Sequence, residues 1–210
     1  MSRNGILVVL SGFSGAGKGT IVNRLLNKYD NYALSISATT RASREGETEG
    51  ISYFFKSTEE FKQLIEENAF IEYAKYVNNY YGTPKAYVEQ NLQAGRDVIL
   101  EIEIQGAMKV KEKYPDALLM FVTPPDLATL KSRLFFRGTE TEEIIHTRLL
   151  RAAEESMGME AYDYLLINNE LEDCVDEMHA IIQCEHAKVT RNIPFIEAIG
   201  HELRAISKGE

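Results

Sequence analysis

The sequence has few of the residues that mark several classes of protein. Its two cysteines, Cys174 and Cys184, match neither a disulfide framework nor a metal-ligand spacing. Five prolines and 14 glycines give no hint of a disordered linker. No apolar run is long enough to span a membrane, and the first one is too short for a signal peptide. We therefore expect a cytoplasmic protein with no membrane partner.

Positive charge is also scarce. Lysine and arginine number 23 against 32 aspartates and glutamates, which gives a net charge of −9. Such a balance argues against a nucleic-acid-binding surface and against binding to anionic membranes. An anionic ligand would need a local concentration of arginine and lysine. The length of 210 residues and the hydrophobic fraction of 44% are typical of one globular domain.

The most informative motif lies near the N-terminus, between the apolar run Ile6–Leu10 and a helical pattern. A strand, a glycine-rich loop, a lysine and a helix form the context of a phosphate-binding P-loop, in which backbone N–H groups and the helix N-terminus surround an anion. We expect this loop to bind the phosphates of a nucleoside triphosphate, with Lys18 as their cation. The predicted nucleotide-binding residues of the loop are Gly12, Phe13, Ser14, Gly15, Ala16, Gly17, Lys18, Gly19 and Thr20.

The order of strands and helices predicts an α/β fold. Short apolar strands alternate with helices in the first 30 residues and again from about Val98, which is typical of a parallel sheet covered on both faces. Residues from about 35 to 92 interrupt this pattern with aromatic residues and turns, and are predicted to form an inserted α+β subdomain. Within it, Phe70–Val77 is predicted as a strand, residues 78–82 as a turn, and Thr83-Pro84 as the start of a helix.

A second group of phosphate-binding residue types follows the P-loop helix in this otherwise acidic chain. Arginine binds phosphate through a planar fork of donors, and tyrosine hydroxyls add directional donors. Taken alone, Arg41 and Arg44 are equally well explained as surface residues, and Glu72 as a solvated charge at a strand end. Together with the P-loop, the arginines predict a second phosphate site.

Six ordered motifs carry a resemblance to the guanylate kinase family. The first is the P-loop, and the others are Ser35-Ile-Ser-Ala-Thr-Thr-Arg41, Arg44-Glu-Gly-Glu47, Asn79-Tyr-Tyr-Gly82, Glu101-Ile-Glu-Ile-Gln-Gly106 and Arg137-Gly-Thr-Glu-Thr-Glu-Glu143. The resemblance extends from about Gly5 to about Ala187, nearly the whole chain. It implies a three-layer P-loop kinase core, about residues 1–34, 93–134 and 151–210. It also implies a subdomain that binds the nucleoside monophosphate, about 35–92, and a small helical lid, about 135–150.

The resemblance also implies roles for individual residues. The GMP phosphate would be bound by Arg41, Arg44, Tyr53 and Tyr81. The guanine base would be recognised by Ser37, Glu72, Thr83 and Glu103. The catalytic residues at the transferred phosphoryl group would be Lys18, Arg133, Arg137 and Arg148. Asn168 would border the adenine of ATP.

Magnesium is the cofactor that the resemblance implies, bound with ATP. The generic P-loop carries a serine or threonine directly after the lysine as a metal ligand, whereas here Gly19 occupies that position and Thr20 follows. Thr20 and Glu101, the latter through water, are therefore the candidate magnesium ligands. Phe13 replaces a proline that is common in the family, and Glu101 and Glu103 replace aspartates.

The function that follows is transfer of the γ-phosphoryl group of ATP to GMP, and with it dGMP. Guanine presents two adjacent donors, N1–H and the exocyclic amine, which a carboxylate accepts together, whereas adenine presents a bare acceptor there. The GMP phosphate has its second pKa near 6 and is mostly dianionic at neutral pH, so no general base is needed. The four histidines, His146, His179, His186 and His201, lie outside the motifs.

Three alternatives remain at this point. The protein could be a kinase for another monophosphate such as AMP or dTMP, a non-catalytic binding module related to guanylate kinases, or a nucleoside triphosphate hydrolase without an acceptor. The acceptor motifs argue against the first. The intact Lys18 argues against the second, and a test of ATP turnover without GMP would identify the third.

Overall fold

The computed structural model describes residues 4–76, 78–135 and 142–207. Its main sheet has five strands, and every neighbouring pair in it is parallel. In spatial order the strands are β2 (Tyr32–Leu34), β7 (Asp97–Glu101), β1 (Leu7–Gly12), β8 (Leu118–Thr123) and β9 (Tyr164–Ile167). The parallel sheet agrees with the predicted α/β core. Its inner strands are buried on both faces, as their near-continuous apolar sequences require.

Eight α-helices accompany the strands in the described part of the chain. They are α1 (Lys18–Lys28), α2 (Thr58–Glu66), α3 (Lys85–Gln93), α4 (Ile104–Lys113), α5 (Leu127–Phe135), α6 (Glu142–Ser156), α7 (Leu171–His186) and α8 (Ile193–Ser207). On one face of the sheet, Val88 of α3 and Val110 of α4 share a buried cluster with Leu7 and Val9. Since strand side chains alternate, Val8 and Leu10 face the opposite side.

A second, four-stranded sheet lies within residues 38–84. Its order is β4 (Phe54–Phe55), β3 (Ala38–Thr39), β6 (Asn79–Pro84) and β5 (Phe70–Tyr76). The strand predicted from Phe70 is confirmed as far as Tyr76. The turn predicted for residues 78–82 is wrong, because residues 79–84 form β6 and pair antiparallel with β5. The helix that follows begins at Lys85 rather than at Thr83.

The carboxyl ends of the central strands bring the predicted donor-site residues to one edge of the main sheet. The P-loop leaves β1 there, Glu101 ends β7, and Asn168 directly follows β9. β1 lies between β7 and β8, with β2 and β7 on one side of it and β8 and β9 on the other. Ligands of open parallel sheets bind at such a point, outside the carboxyl ends of the strands.

The chain divides into two compact units, residues 1–175 and residues 176–210. The first contains both sheets and every predicted site residue. The second contains most of α7 and all of α8, a helix with exposed apolar residues that include Phe195 and Leu203. Among the described helices, none combines the length and the apolar character that crossing a membrane requires.

Candidate active site

The P-loop depends on glycine at two positions where other atoms approach closely. Gly17, at the N-terminus of α1, has φ 93°, and a Cβ on it would lie 2.5 Å from Nδ2 of Asn168. A Cβ on Gly12 would lie 2.2 Å from the carbonyl oxygen of Val122. L-residues rarely adopt such backbone angles, so any side chain at these positions would be strained as well as crowded. The loop can therefore lie directly against β8 and the residue after β9.

Lys18 is the first residue of α1, and its ammonium group folds back over the loop. Nζ donates to the carbonyl oxygens of Gly12, at 2.6 Å, and Phe13, at 3.2 Å. Phe13 is anchored by an edge-on contact between its ring and that of Phe121, with centroids 5.1 Å apart. The phenylalanine thus gives the loop an apolar attachment to β8.

Two predicted residues fasten the middle of the P-loop to neighbouring elements. Asn168 donates from Nδ2 to the carbonyl oxygen of Ala16 at 2.8 Å, and this side chain is buried. Arg133, from α5, donates to the carbonyl oxygens of Asn168, at 2.9 Å, and Ala16, at 3.4 Å. Both residues therefore donate to the carbonyl oxygen of Ala16 and hold the loop in place next to the start of α1.

A cavity of about 600 Å³ opens in front of the P-loop. Six predicted P-loop residues line it together with Glu101, Glu103 and Arg148. Arg148 lies on α6, and its Nη1 donates to Oγ of Ser14 at 2.7 Å, so α6 faces the loop across the cavity. Thr20 is exposed at the start of α1 and does not line this cavity. Arg137, predicted to act beside Arg148, lies outside the described residues.

Residues to which the sequence assigned no role also line the cavity. Arg151 donates to Glu103 at 3.0 Å and to Glu155, on its own helix, at 3.0 Å. Burial raises the pKa of the Glu155 carboxyl, with a further contribution from the charge of Glu103. Arg151 and Glu155 stand three and seven residues after Arg148. That helical spacing was the signal available in the sequence, because residues so spaced share one face of a helix.

A second polar cluster lies between β3 and β4 and at β6. Arg41 binds Glu47 through both terminal nitrogens, at 3.0 Å and 2.7 Å, and its guanidinium carbon lies 5.3 Å from the centre of the Tyr53 ring. The rings of Tyr53 and Tyr81 are 6.3 Å apart. The structure thus brings together three of the four residues predicted to bind the acceptor phosphate.

Glu47 organises this cluster, although the sequence assigned it no role. Besides Arg41, it accepts a hydrogen bond from the backbone N–H of Arg44 at 2.7 Å. These hydrogen bonds, the one from Arg41 first, lower the pKa of Glu47 to about 2. The side chain of Arg44, the fourth predicted phosphate ligand, is exposed. Glu47 therefore binds both predicted arginines, through the side chain of Arg41 and through the backbone of Arg44.

Glu72 and Thr83 meet on neighbouring strands. Oγ1 of Thr83 donates to Oε1 of Glu72 at 2.7 Å, and Glu72 is only 9% exposed. In the described part of the chain, no other residue donates a hydrogen bond to this carboxylate. Burial raises its pKa, against opposing effects of the Thr83 hydrogen bond and of Lys109 and Lys113.

The remaining predicted base-binding residues lie in the same part of the chain. Glu103 is the residue that precedes α4, and the first turn of α4 approaches Glu72 at Gly106. Ser37 lies between β2 and β3, is half-buried, and accepts a backbone hydrogen bond from Phe54 at 2.9 Å. No direct contact joins Ser37 to Glu72 among the described interactions.

Comparison with known proteins identifies the group to which this arrangement belongs. The sequence model of the family described as "Guanylate kinase" matches residues 4–185. The chain belongs to the guanylate kinase family. Its membership confirms the resemblance inferred from the six motifs.

Individual guanylate kinases are similar over nearly the whole chain. One from Streptococcus thermophilus (strain CNRZ 1066) is 49% identical over 208 residues, which cover 99% of this chain and 97% of the relative. One from Halalkalibacterium halodurans is 50% identical over 191 residues, 91% of this chain and 94% of the relative. The crystal structure of guanylate kinase from Anaplasma phagocytophilum has a TM-score of 0.71 and 34% identity, and covers 90% of each chain. The predicted α/β kinase fold is thereby confirmed.

Proposed function

We propose that this protein catalyses ATP + GMP ⇌ ADP + GDP by direct transfer of the γ-phosphoryl group. The proposal rests on membership of the guanylate kinase family and on two sets of anion-binding residues in one compact unit. One set surrounds the P-loop, and the other includes Arg41 and Tyr81. GMP, and dGMP with it, is the acceptor.

One observation supports guanine as the base of the acceptor nucleotide. The carboxyl group of Glu72 is buried, and in the described residues only Thr83 donates to it. A buried acceptor is costly unless it is hydrogen-bonded, and a carboxylate has room for several donors. The N1–H and exocyclic amine of guanine supply two donors side by side. Adenine would place an acceptor against the same carboxylate and would be rejected by roughly 10⁴-fold or more.

The chemistry requires positioning and charge neutralisation rather than proton transfer. The GMP phosphate is mostly dianionic at neutral pH because its second pKa is about 6. Among the described residues that line the cavity there is no histidine, and the mechanism does not call for one. Lys18, the P-loop amides and Arg148 would offset the repulsion between two phosphate-bearing substrates and stabilise charge that develops on the transferred group.

Magnesium fits the oxygen donors beside the P-loop. A Cβ on Gly19 would lie 3.7 Å from Oε2 of Glu101, so this carboxylate lies at the first turn of α1, beside the residue that precedes Thr20 in the chain. Mg²⁺ keeps several waters and takes one or two protein oxygens together with substrate phosphates. Thr20 and Glu101 would hold the ion, Glu101 through water. When bound, the ion neutralises charge on the phosphates of ATP.

The larger divisions of the chain have matching roles in this proposal. Residues 35–92 would bind GMP, and the lid would comprise residues 135–150, of which 136–141 lie outside the described residues. Closure of the two over the substrates would exclude water, which would otherwise hydrolyse ATP. The reaction takes place in the cytoplasm on small-molecule nucleotides, without a nucleic acid or membrane partner.

ADP production from ATP tests the reaction directly. We expect rapid ADP formation with GMP present, little with AMP, and almost none without an acceptor. ATP consumption that does not depend on GMP would identify a hydrolase instead. A broad response to AMP, CMP, UMP and dTMP would identify a kinase of different specificity.

The variant Lys18→Met tests the donor site. It keeps the length of the side chain but removes the ammonium group, and we expect kcat to fall by about 10²–10³-fold, as when a transition-state donor is lost. Steady-state kinetics with GMP saturating provide the measurement. Turnover close to that of the unaltered protein would contradict the donor-site assignment.

A further inference from the structure

Glycine at position 106 is explained neither by backbone geometry nor by helix formation. Gly106 is the third residue of α4, and it is not among the residues with positive φ. Alanine adopts helical backbone angles more readily than glycine does. The reason for a glycine at this position must therefore lie in the space beside it.

The space beside Gly106 adjoins Oε2 of the buried Glu72 carboxylate. A Cβ on Gly106 would lie 3.5 Å from Oε2 of Glu72 and 3.3 Å from Cδ1 of Ile102. Thr83 donates to the other oxygen, Oε1. In the described residues, Oε2 receives no hydrogen bond, and the bare backbone of Gly106 faces it. A methyl group at position 106 would stand in van der Waals contact with Oε2 of Glu72, the oxygen of this carboxylate to which no described residue donates.

We infer that Gly106 is a specificity-determining residue, whose missing side chain keeps Oε2 of Glu72 open to the hydrogen-bond donors of guanine. The inference rests on the proposed function and extends it to a residue that carries no functional group. Glu72 supplies the acceptor, Thr83 holds one of its oxygens, and Gly106 leaves the other accessible. Substitution here would block recognition of the base without touching the phosphate sites.

The substitution Gly106→Ala separates this role from a role in packing. We expect the KM for GMP to rise by about tenfold or more, because a recognition hydrogen bond is weakened. The KM for ATP should stay within about twofold, and Tm should stay level or rise, since alanine favours the helix. Gly106→Ser adds a hydroxyl that can donate to Oε2 in place of guanine, and should raise the KM for GMP further.

Gly200→Ala is a matched control. Gly200 is also a helical glycine without positive φ, and its added Cβ would also meet the end of a flexible side chain, Nη1 of Arg204, at 3.3 Å. It lies in α8, outside every predicted site. We expect this variant to leave both KM values unchanged.

A double-substitution cycle tests whether Gly106 acts through Glu72. If it does, Gly106→Ala should have little further effect on the kcat/KM for GMP in a Glu72→Gln background. An equal effect in both backgrounds would overturn the inference, and so would an unchanged KM for GMP or parallel losses for GMP and ATP with a lowered Tm. Absence of GMP-dependent ADP formation by the unaltered protein would instead refute the proposed function itself.

Discussion

Glu72 lies in β5 with one oxygen held by Thr83 and with a pKa raised by burial. Because its pKa in the folded state exceeds that of the unfolded chain, the native protein holds more protons between those two values. Stability therefore falls as the pH rises through that window. At neutral pH the carboxylate lowers stability but provides two strong acceptors. In its proposed role in base recognition, Glu72 would favour binding at the expense of stability.

Glu72→Gln should raise the stability of the protein and weaken its recognition of GMP. The amide oxygen can still accept from Thr83, but no buried charge remains, so we expect a Tm above that of the unaltered protein at pH 7. The difference should shrink as the pH falls below about 4, where Glu72 is protonated in both states. Thermal unfolding across this pH range provides the measurement. The kcat/KM for GMP should fall by about 10²-fold or more, and a lower Tm at pH 7 would contradict the expectation.

At the scale of single elements, the segment between β3 and β4 owes its arrangement to Glu47. This carboxylate holds Arg41 by two hydrogen bonds and the backbone of Arg44 by a third. Its pKa of about 2 means that it remains charged throughout the working pH range. An arginine held in position loses less conformational freedom when it binds phosphate. In the proposed function, Glu47 therefore orders Arg41 before the GMP phosphate binds.

Glu47→Ala should consequently weaken GMP binding through Arg41. We expect the KM for GMP to rise by roughly three- to tenfold, because the interaction that orders Arg41 is lost. The KM for ATP should not change. Glu45→Ala provides the control, because Glu45 is an exposed acid in the same segment. Equal effects of the two variants would show that total charge, rather than the position of Arg41, matters.

The elements also show what the sequence could predict. The P-loop and the buried strands depend on residues close together in the chain, and they were predicted. β6 was mistaken for a turn because Gly82 and Pro84 are locally unfavourable in strands, and pairing with β5 and with the distant β3 outweighs that preference. Gly106 and Arg151 were assigned no role because Glu72 and Glu103, which they approach, lie far away in the chain. Glu47 contacts Arg41 and Arg44 close by in the chain, and its role was missed although its partners are local.

At the scale of the molecule, the first compact unit contains two separate groups of residues that we propose to bind anions. The P-loop group is attached to the main sheet through Asn168 and Arg133. The Arg41 group and Glu72 belong to residues 38–84, which form the second sheet. Each group is built from its own local contacts. Loss of one should therefore leave the other able to bind its ligand.

Thermal shifts with each nucleotide test this independence. A ligand at 100 times its Kd stabilises a protein by about 2.7 kcal/mol, which corresponds to about 5–10 °C in Tm for a chain of this size. We expect ATP and GMP each to raise the Tm of the unaltered protein. Lys18→Met should lose most of the ATP shift and keep the GMP shift, whereas Glu72→Gln should do the opposite. If either variant lost both shifts, the two nucleotides would share one site, and transfer between two bound substrates would have to be abandoned.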